Sequence, residues 1–173
     1  MKVDLPRSDE IIPAAEVQTA LDRLACEITA KLAARNPLVI TVMNGGLVFA
    51  GQLLPRLAFP LDCSYVHVRR YGAGTSGGEL VWIAGPHEPI KGRTVLLLDD
   101  ILDEGRTLAA IHARLTELGA LDVLIAAFAL KERATAAAIT ADFTGVRVPD
   151  RYVFGFGMDV AGGWRNLPSI RAL

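Results

Sequence analysis

The chain has only two cysteines, Cys26 and Cys63, and neither has the spacing of a metal or redox pair. The expectation is a reduced, cytoplasmic chain with buried thiols. No apolar stretch approaches the ~20 residues that a membrane span needs. The start, MKVDLPRSDEIIP, carries acids and a proline where an export signal would have a continuous apolar core. Basic runs are absent and the net charge is −1, which gives no reason to expect attraction to nucleic acid or membranes. Internal repeats, low-complexity tracts and linkers are missing too. The remaining picture is a soluble single domain over residues 1–173, and 51% hydrophobic residues allow it a sizeable core.

Periodicity orders that core. Val17, Leu21, Leu24, Ile28 and Leu32 recur at spacings of three and four after Pro13, predicting an amphipathic helix to about Arg35. PLVITVM (37–43) reads as a buried strand, NGG breaks it, and LVFAGQLLPRL resumes at helical spacing. DCSYVHVRR alternates like a strand, YGAGTSGG is loop, and ELVWIAG is a further short strand. RTVLLLDD is a strand buried on both faces, followed by a helix from about Gly105 to Leu118. DVLIAAFALK is one more buried strand. Continuous apolar strands alternating with helices predict an α/β fold, a parallel sheet flanked by helices. The core spans about 37–140. The aromatic- and glycine-rich tail, about 141–173, forms a small hood with the N-terminal segment.

The stretch LLLDDILDEGRTLAA (96–110) places four carboxylates within six residues, at the end of a buried strand and just before a helix. Ligands of such folds bind beyond the carboxyl ends of the strands. The N–H groups of a helix's first turn lack helical partners, and with the helix dipole they attract anions. Gly105 would let a phosphate approach the backbone, and Thr107 adds a hydroxyl. The segment therefore pairs carboxylates suited to hydroxyls or a cation with amides suited to a phosphate. A sugar phosphate has both needs. Capping by Asp103 alone would leave the Asp99–Asp100 pair unexplained.

VLLLDDILDEGRTL also resembles the phosphoribosyl-diphosphate signature of type I phosphoribosyltransferases, in the form found in the hypoxanthine-guanine enzymes. VMNGG (42–46) is similar to that family's diphosphate loop. LKER places Lys131 where the family has its purine-reading lysine. PDRYVFGFGMD followed by WRNLP resembles its C-terminal purine and diphosphate segment. The resemblance runs from about residue 37 to 171. It implies purine salvage, in which a 6-oxopurine displaces pyrophosphate from phosphoribosyl diphosphate with Mg²⁺ present, in a homodimer or homotetramer.

Carried onto this sequence, the resemblance implies that Asp99 and Asp100 hold the ribose hydroxyls, directly or through magnesium's water shell. Asp103, Glu104, Gly105, Arg106 and Thr107 would cradle the 5′-phosphate, and Asp103 would be the general base for the purine's proton. Asn44, Gly45 and Arg165 would contact the diphosphate. Lys131 would donate to the 6-oxo oxygen, which disfavours adenine. Tyr152 would stack on the purine and the backbone at Val153 would read its edge. Asp159 would be a metal ligand beside Asp99 and Asp100. Arg70 and Tyr71 would open a mobile loop over the site.

Two positions depart from the commonest pattern of that family. Asn44 stands where a lysine is frequent and supplies no charge. Glu104 stands where a small hydroxyl residue is frequent, so its carboxylate must face away from the phosphate. GAGTSG (72–77) fits a dinucleotide fingerprint literally, but the residues after it predict a strand where that motif needs a helix. Two other functions fit the same signature: an enzyme preferring xanthine, and a nucleotide-sensing regulator that binds RNA. The regulator would want a basic surface, and the chain offers no basic run.

Overall fold

The computed structural model describes residues 5, 7–71 and 79–173, without the side chains of Arg70, Tyr71 and Glu79. The first helix, α1 (Ala14–Leu32), starts directly after Pro13, whose missing N–H costs nothing at a helix start. Its buried stripe contains all five apolar residues of the helical pattern. It stops three residues short of the expected Arg35, because Asn36 adopts a positive φ of 43° and Pro37 follows.

Six strands form the main sheet: β2 (Leu38–Met43), β3 (Asp62–Tyr71), β4 (Glu79–Ala84), β5 (Thr94–Leu102), β6 (Asp122–Glu132) and β7 (Phe143–Pro149), in the order β4-β3-β2-β5-β6-β7. All neighbours are parallel except β3 and β4. The connection from β2 runs through α2 (Gly46–Leu53) to β3 on one side. That from β5 runs through α3 (Arg106–Glu117) to β6 on the other. The chain thus leaves β2 and β5 in opposite directions, and a ligand crevice belongs at that switch point.

Alternation along the strands divides the core into two layers. Val39, Leu96, Leu98, Leu124, Ala126 and Phe128 pack with α1 and α2. Leu38, Ile40, Leu97, Ile125 and Ala127 pack with Leu108, Ile111 and Leu115 of α3. Both faces of the central strands are covered, as their unbroken apolar runs require.

The tail divides differently from the expected boundary at about 140. Its first part is β7, which adds an edge to the main sheet, because Phe143, Val146 and Val148 have apolar partners in the core under α1. Only the remainder joins the N-terminal strand. β1 (Asp9–Ile12), β8 (Val153–Phe154) and β9 (Ile170–Ala172) form a separate antiparallel sheet in the order β1-β9-β8. The helix of the N-terminal segment, α1, likewise belongs to the core.

Both cysteines are exposed, against the expectation of burial. Cys26 lies off the buried stripe of α1, and Cys63 lies on the open face of β3, whose other face buries Val66 and Val68. Among the described residues no helix is long and apolar enough to cross a membrane. Directly after residues 72–78, which lie outside the described residues, comes the strand β4, so a dinucleotide fingerprint there lacks its helix.

Candidate active site

The crevice opens where β2 stops pairing with β5. That pairing ends at Thr41 with Leu98, whereas β5 stays paired with β6 to Leu102. Asp99 and Asp100 therefore lie inside β5 rather than closing it, with one flank uncovered. They are only 9% and 8% exposed, and the Asp100 amide donates to Asp99 Oδ1 at 3.0 Å. Burial pushes the Asp99 carboxyl well above the usual carboxylate range, and the Asp100 charge adds to it. Burial raises Asp100 as well. Two buried adjacent carboxylates with raised proton affinity are primed for groups that donate hydrogen bonds or carry positive charge.

Glycines let two other segments reach this pair. A Cβ on Gly45, at the end of β2, would overlap the Asp100 carboxylate, and one on Gly157 would overlap the Gly45 carbonyl. Asn44 precedes Gly45, is exposed, and follows a cis Met43–Asn44 peptide.

Past β5 the chain enters a cavity of about 360 Å³ lined by Asp99, Asp100, Asp103 and residues 104–108. Gly105 has a φ of 74° and begins α3 without a side-chain cap. Asp103 is therefore not the helix cap. The first helical bond runs from the Ala109 amide to the Gly105 carbonyl, and Thr107 lies half-buried beside it. The Glu104 carboxylate meets Arg106 Nε at 3.2 Å and Arg133 at 3.8 Å.

A second cavity of about 240 Å³ adjoins the first, sharing Asp100, Ile101 and Asp103, and adds Lys131, Tyr152, Val153, Met158 and Asp159. Lys131 Nζ donates to Asp103 Oδ2 at 2.7 Å, and Arg133 pairs with Asp103 Oδ1. Burial alone would raise the Asp103 carboxyl, but hydrogen bonds and charge from Lys131 and Arg133 outweigh it and hold it below the ordinary value. Exposed Tyr152 donates its hydroxyl proton to the Asp159 carbonyl at 3.1 Å. Arg165 donates to the Gly157 carbonyl at 2.6 Å and to Asp159 at 2.5 Å, and comes within 4.0 Å of Asp100. Arg70 and Tyr71 end β3 at the same carboxyl side of the sheet, but their side chains and the loop after them lie outside the described residues.

The sequence reading omitted Arg133. The available signal was its spacing: it follows β6 directly, two residues past Lys131.

The model of the phosphoribosyl transferase domain matches residues 8–161. The chain belongs to this family. It is 37% identical over 91% of its length to the bifunctional protein TilS/HprT of Listeria innocua, of which it spans 24%. It is 33% identical to the hypoxanthine-guanine phosphoribosyltransferase of Bacillus subtilis, covering 100% of this chain and 96% of that one. The crystal structure of a hypoxanthine phosphoribosyltransferase from Staphylococcus aureus superposes with a TM-score of 0.90 at 26% identity, covering 95% of this chain and 90% of that one. Like other members of this family the chain has the expected α/β fold, with helices on both faces of a mostly parallel sheet.

Among the described residues of this phosphoribosyl transferase domain, no three acidic, histidine or cysteine side chains converge as a metal site. The acids nonetheless fit magnesium. That ion takes few protein carboxylates and keeps waters and substrate phosphates as its other ligands. Asp99, Asp100 and Asp159 offer such hard oxygen donors beside the first two cavities.

Proposed function

We propose that this chain works in purine salvage, transferring the 5-phosphoribosyl group from phosphoribosyl diphosphate to hypoxanthine or guanine and releasing pyrophosphate. The observation that carries this reading is the pair of joined cavities with Asp103 between them, its carboxylate bonded to Lys131. The larger cavity suits a ribose phosphate. Asp99 and Asp100 accept from the ribose hydroxyls, and the first-turn amides of α3 with Gly105, Arg106 and Thr107 receive the 5′-phosphate. Glu104 contributes its backbone, its carboxylate being engaged by Arg106 and Arg133.

The smaller cavity takes the base. Lys131 donates to the 6-oxo oxygen, Tyr152 covers the ring face, and the backbone at Val153 reads the edge. Asp103, kept ionised by its cationic partners, takes the proton that the purine nitrogen loses. Asn44, Gly45 and Arg165 receive the diphosphate, and Arg165 is already oriented by Gly157 and Asp159. Asp159, and Asp99 and Asp100 through the ion's water shell, would hold magnesium, which would supply charge neutralisation for the departing pyrophosphate. Arg70 and Tyr71 belong to the end of β3 rather than to a loop. The active form is a homodimer or homotetramer in the cytoplasm, without a nucleic-acid or membrane partner.

Incubation with phosphoribosyl diphosphate, magnesium and one base at a time tests this. Hypoxanthine and guanine should give nucleoside monophosphate and pyrophosphate; adenine, orotate and uracil should not. Turnover confined to xanthine or to a pyrimidine would overturn the assignment. The comparisons favour neither the xanthine enzyme nor the RNA-binding regulator.

A further inference from the structure

Asp103 is held by two cations from two directions. Lys131 lines the smaller cavity of the candidate site and bonds Oδ2. Arg133 bonds the other oxygen, Oδ1, and does not line that cavity. It lines a separate one of about 190 Å³, walled by Glu104, Arg106, Thr135, Ala136 and Ala138. The same guanidinium reaches toward Glu104 at 3.8 Å, so it spans two consecutive carboxylates of the loop before α3. Lys131 is 12% exposed and Arg133 27%, so neither contact is a fully solvated surface pair of the kind worth little.

This arrangement answers a difficulty in the proposed chemistry. When a 6-oxopurine enters, its carbonyl competes with Asp103 for the Lys131 ammonium. A base oriented by Lys131 alone would be loosened by the substrate whose proton it must take. Arg133 approaches from outside the purine cavity, so a bound purine leaves its contact in place. A planar guanidinium also fixes the direction of the oxygen it bonds, which an ammonium does less well.

We infer that Arg133 is a positioning residue, which acts through Asp103 by holding its carboxylate aimed at the purine while Lys131 serves the 6-oxo oxygen. The inference rests on the proposed role of Asp103 as base. A carboxylate misaimed by an ångström loses much of its catalytic value, whereas binding of the sugar phosphate is unaffected.

The test is a double-mutant cycle of Arg133→Ala and Asp103→Asn, with Arg133→Lys added, followed by single-turnover kinetics with hypoxanthine. Arg133→Ala should slow the chemical step by at least ~10-fold, leaving affinity for phosphoribosyl diphosphate within about threefold, as expected for an interaction used mainly in the transition state. Arg133→Lys should recover part of the loss. In the Asp103→Asn background, Arg133→Ala should cost nothing further, because a residue acting only through another is non-additive with it. An equal loss in both backgrounds would make the role of Arg133 structural and overturn the inference. So would an Arg133→Ala rate like wild type while Asp103→Asn is slow, and that outcome would leave Asp103 as the base. Unimpaired chemistry in Asp103→Asn would instead overturn the assignment of the base, and this inference with it.

Discussion

Asp99 is costly to the unliganded protein, and in the proposed reaction it accepts from the ligand's hydroxyls. Its folded proton affinity is raised by burial and by Asp100, so its ionisation opposes folding. Stability is therefore lost as pH rises from the unfolded value near 3.9 through the higher folded one. Asp99→Asn keeps the oxygen that accepts from the Asp100 amide and removes the charge. Thermal melts without substrate or magnesium should show a higher Tm for the variant at pH 7.5, at ~2–4 °C per kcal/mol for a chain of this size. The advantage should vanish below about pH 4, where the carboxyl is protonated in both states. A wild-type Tm as high as the variant's at pH 7.5 would show that the pair is not strained. Asp103 has the opposite sign: its lowered folded value contributes stability that is present above the unfolded value and lost as pH falls through the folded one. If Lys131 serves the 6-oxo oxygen as proposed, Lys131→Ala should remove a charged donor worth roughly 1.5–3 kcal/mol, about 10- to 150-fold in purine affinity. Binding of phosphoribosyl diphosphate should hardly change. Titration of each ligand separately checks this, and loss of the sugar phosphate with the purine spared would move the purine pocket elsewhere.

At the scale of elements, the site depends on how closely the β2 loop, the end of β5 and the segment after β8 approach. Gly45 has an ordinary φ of −57°, so its requirement for glycine is one of contact rather than of backbone conformation. Gly45→Ala should displace the Asp100 carboxylate or push the loop off β5, at a cost of about 1–3 kcal/mol typical of overpacking. Isothermal titration should show weaker binding of phosphoribosyl diphosphate, and a melt should show lowered stability. Unchanged affinity would mean that Asp100 has room to turn aside without consequence. The start of α3 is shaped by Gly105 in the same way, there through a positive φ. Its neighbour Glu104 extends the loop's charge outward to two arginines.

The molecule is held together across its two sheets by an aromatic series. Phe128 of β6 meets Phe49 of α2 at 5.4 Å between ring centroids and Phe156, beyond β8, at 4.3 Å. All three rings are fully buried. Phe128→Ala should cost ~3–5 kcal/mol, the range for deleting a buried ring. Because Phe156 immediately precedes Gly157, which packs on Gly45, the substitution should also weaken the proposed sugar-phosphate site. Denaturant unfolding and ligand titration measure the two effects. A large stability loss with unaltered affinity would show that the C-terminal segment is fixed by other contacts.

Much of this architecture was legible along the chain because it is local. Five apolar residues at helical spacing specify α1, and unbroken apolar runs specify β2, β5 and β6 as strands covered on both faces. The Asp99–Asp100 pair, Gly105 and Thr107 were recognisable from their order within a dozen residues. What the sequence left open concerns contacts between distant segments. β7 joins the main sheet, and not the hood, because its apolar residues find a surface beneath α1. The thiols are exposed because of which face of α1 and β3 the sheet happens to cover. Arg133 reaches Asp103 across thirty residues because Asp103 directly follows β5 and Arg133 directly follows β6, its neighbour in the sheet. Residue order determined the elements and the chemical groups; strand adjacency, a property of the packed chain alone, decided which charges meet.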